Sequence, residues 1–154
     1  MNVEIFTLCD AATLDAAGKL NILGSFDHLN AAAEPIVHMH CALALKLRFE
    51  RVEEGQKKFL LAFVDSDGTA VMPPVDGTAE VRFQDNDSSS TVSMALGIQQ
   101  LKLPKFGEYS IDLAIDGRHE ASIPLFVRPA KPGMTPRCRV AIKDLANILV
   151  SRIA

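Results

Sequence analysis

The chain has no tryptophan and one tyrosine, and aromatic residues make up only 6% of it. Platforms that stack bases or sugar rings are built from such side chains, so their scarcity argues against nucleic-acid and carbohydrate partners. A net charge of −3 points the same way, because a general nucleic-acid binder needs a positive surface. Cysteine is scarce too: Cys9, Cys41 and Cys138 are odd in number, widely spaced and free of any C-x-x-C pair. That fits reduced thiols in a cytoplasm better than a disulfide framework. Apolar runs never approach the ~18 residues needed to span a bilayer, so no membrane span is expected. The N-terminus meets Glu4 without any basic stretch, unlike a signal peptide. Gly-x-Ser-x-Gly, P-loop, dinucleotide and H-E-x-x-H patterns are all missing, so neither a cofactor nor a catalytic residue is expected.

What is present is alternation. From Gly107, the residues Tyr109, Ile111, Leu113 and Ile115 share one face, and Glu108, Ser110, Asp112 and Asp116 the other. This period of two is that of a strand with one buried and one wet side. The return run repeats it with Ala121, Ile123, Leu125 and Val127. A two-residue Asp116-Gly117 loop would oppose Ile111 to Ser122. A three-residue loop, Ile115 to Gly117, instead pairs Ile111 with Ala121 and sets Asp112 against Glu120, so the parity predicts the longer loop. The same grammar predicts hairpins at Glu53-Glu54-Gly55, pairing Phe49 with Phe59, and at Ser66-Asp67-Gly68, placing Phe63 opposite Val71.

The longest strand begins at His38, with Met39, Cys41, Leu43, Leu45, Leu47 and Phe49 expected inside and His38, His40, Lys46 and Arg48 outside. Cys41 there is a small hydrophobe. Strands are also expected over 2–8, 19–28 and 77–84 and from Thr91, the last shifting phase at Gln99-Gln100; residues 30–37 read as a connector. At 154 residues and 16.7 kDa this is one domain, large enough for a core of its own. The predicted fold is all-β: an antiparallel β-sandwich, immunoglobulin-like or jelly-roll-like, of eight or nine strands over residues 1–128. Tyr109, early in a late strand after a glycine turn, is a candidate tyrosine corner.

After Arg128 the pattern changes. Residues 129–136 hold three of the eight prolines in a linker, and residues 137–154 read as an amphipathic helix capped by Thr135-Pro136. Its stripe is Cys138, Ile142, Leu145, Ala146, Leu149 and Ile153. Such a stripe needs a partner surface: the parent sandwich, a second copy in a homodimer, or another protein. The segment 129–154 carries +4, against −7 for residues 1–128.

Residues 1–12, Gly18-Lys-Leu-Asn-Ile-Leu-Gly24 and Gly107 to Gly117 together resemble an uncharacterised family of small bacterial domains, and Val64 to Gly68 is similar to that family's central hairpin. The resemblance spans roughly residues 1–128 and implies a bacterial, cytoplasmic, all-β domain, with no activity, cofactor or catalytic residue to carry over. The segment 129–154 departs from it.

Two groups could carry chemistry. His38-Met39-His40 would put two imidazoles on one strand face, a geometry metal sites use, with His28, Glu34 or His119 as a third ligand. The bland alternative is two solvated histidines. Asp112 and Glu120, opposed across the predicted hairpin, could share a proton, bind a cation or act as an acid/base pair; ordinary surface charge is the competing reading.

Overall fold

The protein is seen here as a computed structural model that describes residues 1–131; the helix expected over 137–154, with Ile142, Leu145, Leu149 and Ile153, lies outside the described residues. Nine strands follow in order: β1 (Asn2–Leu14), β2 (Leu20–Phe26), β3 (His28–Ala31), β4 (Ile36–Glu50), β5 (Gly55–Asp65), β6 (Val75–Val81), β7 (Ser89–Leu103), β8 (Gly107–Ile115) and β9 (Arg118–Pro129). They form a four-stranded sheet, ordered β2-β1-β4-β7, and a five-stranded sheet, ordered β3-β9-β8-β5-β6. All neighbours are antiparallel except β3 and β9, which run parallel.

The alternating apolar residues explain why the sheets face each other. Leu8, Leu43, Leu45, Leu47 and Phe49 from one sheet and Leu61, Phe63, Ile111, Leu113 and Leu125 from the other close into a single core. Each such side chain contributes about 1.5–3 kcal/mol when fully withdrawn from water. Tyr109 completes that core at its rim. Its hydroxyl donates to the Lys105 carbonyl at 2.7 Å and accepts from the Lys105 N–H at 3.3 Å, which is the tyrosine-corner geometry.

The Ser66-Asp67-Gly68 hairpin forms as expected. Val71 N–H donates to the Phe63 carbonyl at 2.9 Å, and Asp65 Oδ1 accepts from the Asp67 and Thr69 N–H groups, each at 2.9 Å. Gln100 takes φ 51°, and there the buried face passes from Ile98 to Leu101, again as expected.

Four expectations are overturned. β4 and β5 are not paired: the 3-10 turn Arg51–Glu53 carries the chain from one sheet to the other, because both edges of β4 are taken by β1 and β7. Phe59 therefore meets Gly77 and Ile115 across its ladders, not Phe49. The connector at 30–37 includes the end of β3, which pairs with β9. At the start of β4 it is His38 that turns inward and Met39 that is 63% exposed, since the phase shift at Gln100 is matched on the strand beside it. Finally, the last hairpin has the two-residue Asp116-Gly117 loop, with Ile115 opposite Arg118. Both loop residues lie at positive φ, 50° and 79°, as a type I′ turn requires. Asp116 tolerates this because β5 holds it: its N–H donates to the Lys58 carbonyl at 2.8 Å and its Oδ1 accepts from the Lys58 N–H at 2.9 Å. Face matching is restored one step later, by a bulge at Glu120 that brings Leu113 opposite Ala121.

Candidate functional site

That bulge decides the chemistry of the outer face of the five-stranded sheet. Asp112 lies opposite Ser122, and Glu120 sits in the bulge, so the predicted acid pair does not form. In its place stands a polar relay. Ser110 and Ser122 hydroxyls both donate to Asp112 Oδ1, each at 2.6 Å, and His119 Nε2 lies 2.7 Å from Ser122 Oγ. A serine hydroxyl has one proton; with that proton on Asp112, His119 is the donor to Ser122. Acyl-transfer triads place the imidazole between hydroxyl and carboxylate, where it removes the hydroxyl proton. Here the serine is in the middle, so Ser122 is hydrogen-bonded but not activated as a nucleophile. Beside it lies an open depression of about 500 Å³ lined by Asp65, Ser66, Glu108, Ser110, Ser122 and Pro124. The relay can orient a polar group.

The two predicted metal ligands sit differently from each other. His40 is exposed, and its Nδ1 accepts from the Gln99 side-chain amide at 3.0 Å. The His38 ring packs edge-on against Phe26, 5.7 Å between centroids, with Nε2 buried and without a partner among the described residues. His28 pairs with Asp27, His119 with Ser122, and Glu34 accepts from the Phe106 N–H. No group of three metal-ligating side chains comes together among the described residues.

Cys9 and Cys41 are buried as free thiols; burial pushes both up in pKa, Cys41 to about 11. On the outer face of the four-stranded sheet, Cys9 packs with Ala42, Ala44, Ala12 and Leu20. Farther along the same sheet, apolar side chains are exposed. Of the seven exposed large apolar side chains among the described residues, five are at one end: Leu14, Ile22 and Leu23 on the β1–β2 hairpin, and Val37 and Met39 at the start of β4. The antiparallel register of β1 with β4 puts the hairpin tip and the first residues of β4 at the same end of the sheet. Exposed apolar side chains gathered at one end of a sheet point to an interaction site.

A family of unknown function (DUF6941) matches residues 4–128. The chain belongs to it. The DUF6941 match contains His38, His40, Asp112, Glu120 and all five residues of the apolar end, and it stops before the predicted helix. No curated protein matches the chain. No helix among the described residues is long and apolar enough to cross a membrane.

The serines of the relay were hidden from sequence reasoning because parity placed the register correction in the loop and not in a bulge. The usable signal was Asp-Gly itself, a strong marker of two-residue hairpins. The apolar end was equally hidden: Met39 continues the alternation of Cys41 and Leu43 in the sequence, and only the phase shift beside Gln100 turns it outward and His38 inward.

Proposed function

We propose that this DUF6941 member is a non-catalytic binding or self-association module of a bacterial cytoplasm, on an immunoglobulin-like or jelly-roll-like sandwich. The observation that carries the reading is the apolar end: Leu14, Ile22, Leu23, Val37 and Met39 exposed together. The C-terminal segment, with Ile142, Leu145, Leu149 and Ile153, is the second contact element, its +4 charge set against the −7 of residues 1–128. The hydrogen-bonded but unactivated Ser122 favours binding over catalysis. Leu23→Lys with Met39→Lys in the full chain is the test, alongside a chain ending at Arg128. Loss of a partner or of a second copy in light scattering, with the fold retained by circular dichroism, is expected. Unchanged mass and unchanged partner capture in both variants would refute the reading.

A metal-binding module or metal-dependent enzyme centred on His38 and His40 is the second reading, favoured by the buried Nε2 of His38, which has no partner among the described residues. Metal content and thermal stability of untagged protein, compared with the His38→Ala, His40→Ala double variant, decide it. A variant with the same metal content and metal response as the native chain removes it.

A further inference from the structure

We infer that β7 is the edge through which two copies of this chain join, extending the four-stranded sheet into one that runs through a two-fold axis. This rests on the self-association reading, but places the contact on a different surface from the apolar end. An edge strand exposes a row of unpaired N–H and C=O groups, and folds guard such edges by shortness, charge, proline or a kink. The other three edges are guarded. β3 has four residues. β2 has seven and turns at Gly24, which takes φ 66°. β6 has seven, carries Asp76 and Glu80, and follows Pro73-Pro74. β7 has fifteen residues, pairs among the described residues only with β4 and contains no proline; from Ser89 to Ile98, ahead of its kink at Gln100, it carries no charge.

The occupant that fits is a second β7. Antiparallel pairing of a strand with itself is the isologous arrangement of a two-fold dimer. Around Met94 it opposes Val92 to Leu96 across the axis, apolar against apolar. Along β6 the same operation about Thr78 would oppose Asp76 to Glu80, like charge against like. Val92, Met94 and Leu96 belong to the core-facing side of β7 yet remain only half-buried, which is what an edge waiting for a neighbour leaves behind. Next to them an apolar crevice of about 190 Å³ opens between the sheets, lined by Leu61, Phe63, Met72, Val75, Leu96 and Ile98. A second copy covers both. From Ser89 to Ile98 the seam runs about 30 Å.

The test uses the full chain. Ser93 and Ala95 share the outer face with their ladder partners Lys46 and Ala44, away from the core. Ser93→Lys with Ala95→Lys therefore loads the seam with like charge while leaving the core between the two sheets unchanged. Light scattering should give twice 16.7 kDa for the native chain and 16.7 kDa for the lysine variant. Mixing that variant with Ser93→Glu, Ala95→Glu should restore the doubled mass, which a merely misfolded variant could not do. A native monomer overturns the inference. So does β7 amide protection in that monomer, which would mean the C-terminal segment covers the edge. A dimer that survives the lysine variant but dissociates in Leu145→Asp, Leu149→Asp also overturns it, while leaving the proposed function standing.

Discussion

Replacing Tyr109 by phenylalanine isolates one hydrogen-bonded corner. The ring, 3% exposed, stays in the core and only the hydroxyl leaves. Two bonds go with it, the 2.7 Å bond to the Lys105 carbonyl and the 3.3 Å bond from the Lys105 N–H. The shorter one carries most of the effect. Loss of a donor that leaves a buried acceptor unpaired costs about 1–3 kcal/mol. Lys105 is exposed and its loop borders solvent, so water recovers part of that. The expected loss is about 1.5 kcal/mol, which lowers Tm by about 3–6 °C in a domain of this size. Urea unfolding followed by tryptophan fluorescence is ruled out, since the chain has no tryptophan, so far-UV circular dichroism is the assay. The midpoint should fall with no change in slope. A loss below about 0.5 kcal/mol would mean that water replaces the hydroxyl fully and that the corner does not hold the β7–β8 connection.

Gly24→Ala puts a Cβ against Asp10 Oδ2 and 2.8 Å from its Cγ, at φ +66°; we expect a cost of about 1–2 kcal/mol for the backbone alone, with the clash added. Asp10→Ala in the same chain should recover only the clash, so a double-mutant cycle with no coupling would refute the contact. Thiol-specific reagents should leave Cys9 and Cys41 unmodified in the native protein and reach them only on unfolding, as both are 0% exposed. Because burial raises Cys41 from 9.0 to about 11, its contribution to stability is full below pH 9 and lost as pH rises through 11. A stability profile flat from pH 8 to pH 11 in native protein, or identical in Cys41→Ala, would contradict this. Glu4 behaves oppositely: the Arg48 hydrogen bond, then Lys46, holds its carboxyl below the usual range. Its contribution is present above the unfolded-state value and lost as pH falls through the folded one, so Glu4→Gln should flatten the acid limb of the unfolding profile.

Much of the fold was legible from alternation. Leu43, Leu45, Leu47 and Phe49, and Ile111, Leu113 and Leu125, face the core whichever strand lies beside them, because a pleat sends every second side chain to the same side. Turn chemistry was legible where the backbone demanded it: Asp65 and Gly68 close their loop with local bonds that need no distant partner. What alternation could not decide was the neighbour. Phe49 and Phe59 match in parity, yet a 3-10 turn sends them to different sheets, because an apolar side chain is buried equally well across a core or along a ladder. The last hairpin shows the same limit more sharply. Local parity demanded one extra residue, and either a longer loop or a bulge supplies it. Lys58 on β5 settled the choice by holding Asp116 in the loop, and the shifted register exchanged an acid pair for the Asp112–Ser122–His119 relay. The exposed end and the edge position of β7 are likewise decisions of tertiary structure, since they depend on which strand lies beside which and not on the residues themselves.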